Sequence, residues 1–410
     1  MINFKTRQIF FIVLGVFVFG GVAVALRVHS VQKTPEEYAR AIVAHCAEAS
    51  NHTSCYEQEV PKLLVQGVRF EDAFEVAYII QQLDQTGEYC HRIGHELGSK
   101  ETAKDTSKWK EVARRTPLGK CLAGGLHGAF QERFKQASLS PAELPSFEKE
   151  MQGFCDVQKN IPSSSIDLSM CAHGLGHLFL FATGGDIQES VRLCSAIVFK
   201  EEVGVTREGQ ELSCFDGMFM QLFEPHDAEE YALIQGHEQT TDTVGAFCTT
   251  FLPLPKAACV ARSAPLFYKN LTTGAPRPLD CGTLTGQRQQ DACFSTQLRL
   301  FARDTFFNLD ATDDYCATYP ENKRGWCYAS AGSFAFMAGY DYEQPFRFCA
   351  RAETLGVGDQ CYETLAQFIP FVFSTDEKTR ASFCKRLPAP YMANCIYAQA
   401  TNPTPAPSAQ

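Results

Sequence analysis

The chain has no concentrated basic segment and none of the common catalytic signatures. Lys and Arg total 37 against 47 Asp and Glu, so the formal net charge is -10, and no Lys/Arg cluster forms the footprint that nucleic acid needs. A Walker A loop, a Gly-x-Ser-x-Gly elbow and the His-Glu-x-x-His of zinc proteases are missing. Cys-x-x-Cys-His is missing too, which argues against covalently attached haem. We therefore expect no nucleic-acid partner.

A long uncharged apolar run lies near the N-terminus, at residues 9–26. This length is just enough to cross a bilayer as a helix, and Lys5 and Arg7 before the run would stay in the cytoplasm. Ala23–Ala25 also fits a signal-peptidase site. The run is either a transmembrane anchor, which its length favours, or a signal peptide, with residues 1–8 as a cytoplasmic stub. In both cases we expect the bulk of the chain on the extracytoplasmic side, periplasmic or extracellular, and an anchored form would have the membrane as a partner.

The cysteine count also points to an exported protein. An even number, 18, is high for a cytosolic protein and typical of an oxidising compartment. Nine disulfides would use every thiol and leave none as a nucleophile or a metal ligand. The spacing of the front cysteines suggests the pairs Cys46 with Cys55, Cys90 with Cys121, Cys155 with Cys171, and Cys194 with Cys214.

The rear cysteines recur at a fixed period, which indicates stacked supersecondary units. Ten or eleven residues lie between the two cysteines of each unit, and turn-prone segments such as residues 317–322 fill this space. One series has steps of 34 residues, namely Cys259, Cys293, Cys327, Cys361 and Cys395. The other has steps of 33 to 35 residues, namely Cys248, Cys281, Cys316, Cys349 and Cys384.

Each unit is predicted to be a helical hairpin in the order helix, cysteine, loop, cysteine, helix. A disulfide within the unit would close the loop and contribute about 2–3 kcal/mol in the chain-entropy model. Pairing across neighbouring units is also compatible with the spacing, because connectivity cannot be read from sequence alone. The predicted fold class is all-α, a disulfide-rich α-solenoid of helical-hairpin repeats behind one N-terminal transmembrane helix.

The period and the hairpin pattern resemble the tetratricopeptide and Sel1-like class of helical repeats. The resemblance covers about residues 240–400 and concerns architecture alone, since the signature positions of a tetratricopeptide repeat are absent and the cysteines are spaced more widely than in Sel1-like proteins. It implies no functional residue. We divide the chain into a His/Gly-rich helical region at 34–240, the 34-residue repeats at 241–400 and a disordered Pro/Ala/Ser-rich tail at 401–410.

Five of the ten histidines stand beside glycines in three short segments. Two segments carry His-x-x-x-His, whose i,i+4 spacing places both rings on one face of a helix. When the units are aligned on their second cysteine, later units carry Ser, Ala, Arg, Glu or Gln at these positions, so the repeat fold does not require the histidines. Imidazole is a common metal ligand near neutral pH. The candidate ligands are His91, His95, His127, His173 and His177.

Glycines accompany these histidines in stretches that we predict to be helical, although each costs roughly 1 kcal/mol against Ala there. They indicate close approach, of helix to helix or of helix to a bound group. With the thiols oxidised, imidazole and carboxylate ligands suit zinc, copper or iron, and a haem with two axial histidines is the other option. Asp216 could add a carboxylate ligand. Glu96, Glu132 and Asp216 are candidates for a general base or for a residue that orients the ligands.

Two functions from different classes agree with these patterns. The first is an exported, membrane-anchored protein with a His-rich metal or haem site, a metalloenzyme of unknown reaction. The second is a non-enzymatic scaffold that binds a protein or peptide partner on its solenoid at the membrane surface. The directions of the five imidazoles distinguish the two functions. Imidazoles that meet favour a metal, and imidazoles that point to different sides of the solenoid favour the scaffold.

Overall fold

The computed structural model describes most of the chain, and all regular structure in the described residues is helical. The all-α class is confirmed for this part of the chain. The described ranges are 33–84, 89–117, 120–135, 138–156, 165–201, 206–225, 228–271, 279–304, 308–319, 321–338, 342–373 and 376–397.

Short polar caps set the starts of several front helices. The side chains of Thr34, Asp186 and Thr206 each accept a hydrogen bond from the backbone N–H three residues later. The front helices are α1 Pro35–Cys46, α2 His52–Glu59, α3 Lys62–Val65, α4 Phe70–Leu83, α5 Cys90–Ala103, α6 Trp109–Arg115, α7 Gly124–Phe134, α8 Leu144–Met151, α9 Ser165–Ala182, α10 Ile187–Ala196 and α11 Arg207–Phe223, with 3-10 turns at Thr106–Lys108 and Cys121–Ala123.

The rear helices begin in the same way, at caps such as Asn308 and Asp376 or at a proline such as Pro253. They are α12 Ala228–Leu233, α13 Val244–Thr249, α14 Pro253–Arg262, α15 Ala264–Leu271, α16 Gln287–Asp304, α17 Leu309–Ala317, α18 Glu321–Ala338, α19 Gln344–Thr354, α20 Gly358–Val372, α21 Glu377–Cys384 and α22 Ala389–Tyr397, with a 3-10 turn at Cys281–Thr283.

Pairs of helices form the predicted hairpins, with one difference in helix boundaries. The first cysteine of a unit lies near the end of the first helix, as Cys248 does in α13 and Cys316 in α17. The second cysteine lies inside the second helix, whereas the sequence pattern placed it before that helix. Cys293 and Cys327, for example, lie well inside α16 and α18. The polar residues before the second cysteine form the first turns of the helix, and the loop is correspondingly shorter than expected.

All eighteen cysteines lie in the described residues, and none is free. Eight disulfides close a hairpin loop within a unit, so the alternative of pairing across units is excluded for them. The ninth, between Cys90 and Cys121, joins the start of α5 to the 3-10 turn before α7. Nine disulfides indicate an extracellular or otherwise oxidising compartment. The eight hairpin pairs are Cys46–Cys55, Cys155–Cys171, Cys194–Cys214, Cys248–Cys259, Cys281–Cys293, Cys316–Cys327, Cys349–Cys361 and Cys384–Cys395.

The second helices of successive units, among which we count α5 and α7 on either side of the Cys90–Cys121 disulfide, pack side by side in chain order. The row consists of α5, α7, α9, α11, α14, α16, α18, α20 and α22. Buried apolar residues form one continuous cluster from Ala39 to Cys293 and another from Leu298 to Cys395. This packing is compatible with the helical repeat architecture that the cysteine period predicted.

The row is curved, so that rear units contact front ones. Helix α18 contacts the 3-10 turn Cys121–Ala123, and α20 contacts α9. The hydroxyl oxygens of Tyr78 and Tyr342 lie 2.7 Å apart, within hydrogen-bond distance. The helices that carry the histidines are therefore supported by neighbours in the row and by the rear units.

The predicted fold class needs one correction. No helix in the described ranges is long and apolar enough to cross a membrane. Even an 18-residue helix such as α16 carries charges along its length, among them Arg288, Asp291 and Arg299. The transmembrane helix of the predicted fold class is therefore not supported, and neither is membrane anchoring. The predicted span at residues 9–26 lies outside the described residues, as do residues 1–8 and 401–410.

Glycines set the spacing of the helices that carry the histidines from their neighbours in the row. A Cβ on Gly128 of α7 would lie 1.9 Å from the backbone oxygen of His95 in α5. A Cβ on Gly217 of α11 would lie 1.9 Å from the backbone oxygen of His173 in α9. Atoms do not approach so closely, so these helix crossings require glycine. A Cβ would meet a backbone oxygen at 2.0–2.2 Å at Gly98, Gly124 and Gly176.

We expect Gly128→Ala to lower the free energy of unfolding by about 2–3 kcal/mol, because the added methyl group must push α5 and α7 apart. Gly245→Ala in α13 is the matched control. An added Cβ there meets nothing closer than Leu279 Cδ2 at 3.7 Å, so stability should stay unchanged or rise by up to about 1 kcal/mol. Guanidinium unfolding with the disulfides intact measures both effects. A Gly128→Ala variant as stable as the wild type would contradict the spacing argument.

Candidate metal centre

The five candidate histidines come from three second helices that are neighbours in the row. His91 and His95 lie on α5, His127 on α7, and His173 and His177 on α9. The i,i+4 spacing on α5 and α9 puts each pair on one helix face, and the glycine contacts bring these helices close to their neighbours. The structure gathers all five predicted residues into one cluster of contacting rings.

His91, His95 and His127 form the outer group of the cluster. His95 Nε2 lies 3.2 Å from His91 Nε2 and 3.0 Å from His127 Nδ1. The ring centres are 4.8–5.0 Å apart, and the ring planes meet at 68–80°. Three nitrogens, one from each ring, lie within 4.8 Å of one another. The rings therefore stand around a common point, as three ligands of one ion would.

His127, His173 and His177 form the inner group, which shares His127 with the outer one. His173 Nε2 lies 3.1 Å from His177 Nε2, and one nitrogen from each of the three rings again lies within 4.8 Å of the others. The rings of His127 and His177 are close, with centres 3.9 Å apart. The inner rings are 2–6% exposed, whereas His91 and His95 are half-buried. Solvent therefore reaches the cluster on the side of the outer group.

Oxygen acceptors hold two of the rings in a defined tautomer. His91 Nδ1 lies 3.1 Å from the backbone oxygen of Cys121. His177 Nδ1 lies 2.6 Å from Gln221 Oε1. Because each oxygen can only accept, the ring hydrogen is on Nδ1, and Nε2 carries a lone pair. Metal-binding histidines are commonly oriented by such contacts to the nitrogen that does not bind the ion.

Asp216 of α11 faces His173 at ion-pair distance, although His173 Nδ1 forms no hydrogen bond with the described residues. Its Oδ2 atom lies 3.2 Å from His173 Nδ1. Arg262 of α14 donates to both Asp216 oxygens, from Nε at 2.7 Å and from Nη2 at 2.5 Å, and to Glu224 Oε1 at 3.2 Å. Burial alone would raise the pKa of Asp216, but Arg262 and His173 hold it well below its usual range. Asp216 is thus ionised, with both oxygens engaged, and it supports a ring of the cluster from behind.

Burial lowers the pKa of all three inner histidines. The pKa values of His127 and His177 lie well below the ordinary value, because burial disfavours the charged ring and neighbouring imidazoles add to the effect. Burial also lowers the pKa of His173, against the opposing effect of Asp216. The three rings are therefore neutral at pH 7, which is the form that binds metal.

Of the other two predicted acid–base candidates, Glu132 has hydrogen-bond partners and Glu96 lies at the surface. Glu132 Oε2 accepts hydrogen bonds from Ser99 Oγ at 2.8 Å and Lys135 Nζ at 2.7 Å. Glu96 is exposed, and it adds to the effect of burial in raising the pKa of Glu57. Their roles as a general base stay predictions.

Three groups that hold the rings were missed by sequence reasoning. The backbone oxygen of Cys121 leaves no signal in a sequence. Gln221 follows directly after the aligned position that holds His127 and His177 in their units, which could have drawn attention to it. Arg262 belongs to a unit outside the His/Gly-rich segments, and only the packing of α14 on α11 brings it to the site.

The glycines around the histidines pack against neighbouring helices of the protein. A Cβ on Gly124 would meet the backbone oxygen of His91, and one on Gly174 would meet the Leu126 side chain at 3.1 Å. The close approach that the glycines indicated is therefore of helix against helix. The haem alternative, which used the glycines as a surface for a flat macrocycle, loses that support.

No family model, curated protein or solved structure matches the chain. The resemblance to tetratricopeptide and Sel1-like repeats therefore stays one of architecture. A function for the cluster has to be inferred from its own geometry.

Arg262→Ala should lower the free energy of unfolding by about 3–5 kcal/mol, because it leaves the largely buried carboxylates of Asp216 and Glu224 without their shared cation. Arg69→Ala is the matched control. It also removes an Arg–Asp pair joined by two hydrogen bonds, here to Asp72, but the Arg69 side chain is 73% exposed and that of Arg262 only 7%. The control should change stability little, because solvent screens an exposed pair. Similar small losses in guanidinium unfolding for both variants would argue against the network.

Proposed function

We propose that this protein binds a transition-metal ion in the histidine cluster, in an extracellular or otherwise oxidising compartment. The observation that carries the proposal is the pair of facing atoms His173 Nε2 and His177 Nε2, 3.1 Å apart. Gln221 Oε1 accepts the hydrogen of His177 Nδ1, so His177 Nε2 carries a lone pair. His173 Nδ1 faces the Asp216 carboxylate at 3.2 Å without a hydrogen bond among the described residues. A cation between the two Nε2 atoms would bind the His177 lone pair and, with the His173 hydrogen on the nitrogen that faces Asp216, a lone pair of His173 as well.

The hydrogen-bonding capacity of the ring nitrogens in the outer group supports the same proposal. His95 Nε2 faces both His91 Nε2 and His127 Nδ1. A neutral ring nitrogen has either one hydrogen or one lone pair, so this atom cannot form two good hydrogen bonds to both neighbours. His91 Nε2 has only a lone pair to offer, because the ring hydrogen is on Nδ1. An ion at the centre satisfies all three nitrogens together.

The donor set favours zinc or copper. Bonds of about 2.0–2.1 Å to a tetrahedral ion place ligand nitrogens about 3.4 Å apart. Three nitrogen pairs here lie 3.0–3.2 Å apart, and the nitrogens of each group all lie within 4.8 Å of one another. Imidazole suits both metals, and every thiol is in a disulfide. Non-haem iron sites combine histidine with a carboxylate, whereas Asp216 is engaged with Arg262. Three protein ligands leave one position of a four-coordinate ion for water or substrate.

The scaffold hypothesis explains the cluster less well. Helix bracing alone requires no convergence of imidazoles, and it gives no reason for two groups of three ring nitrogens to lie within 4.8 Å of one another. A protein or peptide partner on the row of helices stays a separate prediction, to which the cluster geometry contributes nothing.

Metal analysis of the purified full chain tests the proposal. We expect zinc or copper at one ion per chain or more, removable by a chelator. Restoring the metal should raise the melting temperature, because a ligand that binds only the folded state stabilises it by about 2.7 kcal/mol at a hundredfold excess over Kd. The proposal fails if no metal is bound and the melting temperature does not change on adding zinc, copper or iron.

The double variant His91→Ala/His173→Ala removes one ring from each group and should weaken metal binding at least about a hundredfold, since even contacts behind the ligands are worth 10–100-fold. His45→Ala is the control, because the His45 side chain is 67% exposed on α1 and faces Glu59. Circular dichroism of the metal-free proteins checks that all are folded. Equal affinities of the double variant and the control would place the metal elsewhere.

A further inference from the structure

His127 belongs to both groups of imidazoles. Its Nδ1 atom lies 3.0 Å from His95 Nε2 in the outer group. Its Nε2 atom, on the opposite side of the ring, is buried and has no hydrogen-bond partner among the described residues. The residue is 2% exposed, and an unpaired polar atom at such depth is unfavourable unless a ligand satisfies it. Both ring nitrogens of His127 are therefore available to ligands, one on each side.

We propose that the cluster binds two metal ions with His127 as the bridge between them. The outer ion is held by His91 Nε2, His95 Nε2 and His127 Nδ1. The inner ion is held by His173 Nε2, His177 Nε2 and His127 Nε2. This assignment rests on the proposed function, because it divides the same cluster into two sites.

Each group has its own orienting contacts, as two complete sites would. In the outer group the Cys121 backbone oxygen holds His91. In the inner group Gln221 holds His177. The other inner ring, His173, is faced by the ionised carboxylate of α11. The orienting contacts therefore belong to two separate groups of rings. His127 supplies the third nitrogen of each group.

The proton balance of a bridge is simple. A neutral His127 ring has one lone pair and one N–H group, so the first ion binds the lone pair. The second ion takes the place of the hydrogen, which leaves to solvent as a proton, and the ring becomes an imidazolate with one nitrogen on each ion. No atom is oxidised or reduced. Two bonds of about 2.0–2.1 Å and the width of the ring place the ions about 6 Å apart.

Copper(II) tests the bridge, because an imidazolate couples the unpaired electrons of the two ions that it joins. Metal-free full chain is titrated with copper(II), total bound copper is measured by elemental analysis, and the copper signal is integrated by electron paramagnetic resonance. We expect binding to end at two copper ions per chain, with the integrated signal falling well below total copper as the second ion binds.

The remaining outcomes of this titration are also informative. Saturation at one copper ion, or two ions that both keep their full signal, would overturn the bridge and leave the metal site standing. A chain that binds no copper and no zinc would overturn the proposed function as well. The titration uses the unaltered protein, so it does not depend on how well any variant folds.

Variants in each half then assign the ligands. His95→Ala in the outer group and His177→Ala in the inner group should each bind one copper ion that keeps its full signal. His127→Ala should show no coupled pair, and the control His45→Ala should keep both ions and their coupling. A coupled pair that survives in His127→Ala would show that a different group joins the ions.

Discussion

The distance between neighbouring second helices is the constraint on which the candidate site depends. Gly128 and Gly217 let the backbone oxygens of His95 and His173 approach the facing helix where a side chain would block them. A larger residue at Gly128 would separate α5 from α7 and so His95 from His127, and one at Gly217 would separate α9 from α11, the helix that carries Asp216 and Gln221. Each glycine costs roughly 1 kcal/mol of helix propensity. A repeat selected for stability alone has no reason to carry such residues at successive crossings, whereas a cluster of short imidazole side chains requires them.

The disulfides compensate for this cost in stability. The hairpin pairs join cysteines 9–20 residues apart, and each such closure contributes about 2–3 kcal/mol in the chain-entropy model. The exceptional pair, Cys90–Cys121, is placed at the site. It ties α5 to the turn before α7, the two helices of the outer group, and the Cys121 backbone oxygen contacts His91. The one disulfide that does not close a hairpin therefore lies beside the histidines that the repeat does not require.

Sequence alone could predict the five ring positions, because i,i+4 spacing on a helix is local and because the later units show what the repeat does without them. Local signals also predicted the first helix of each hairpin. They did not predict the start of the second helix, because caps and prolines, and not the cysteine, determine where it begins. The groups behind the rings could not be predicted. The contact of Arg262 with Asp216 depends on how α14 crosses α11, and no spacing rule contains a crossing geometry. Disulfide connectivity needed the same three-dimensional information.

Arg262 indicates that the His/Gly-rich region and the periodic repeats act as one assembly. The predicted boundary at residues 240 and 241 separates this residue from Asp216, yet its guanidinium binds both Asp216 oxygens, and the buried core is continuous across the boundary as far as Cys293. Without that cation a largely buried carboxylate would favour its neutral form, and His173 would lose the charge that orients it. The first of the periodic units therefore contributes to the surroundings of the histidine cluster, because its Arg262 supplies the charge that keeps Asp216 ionised beside His173.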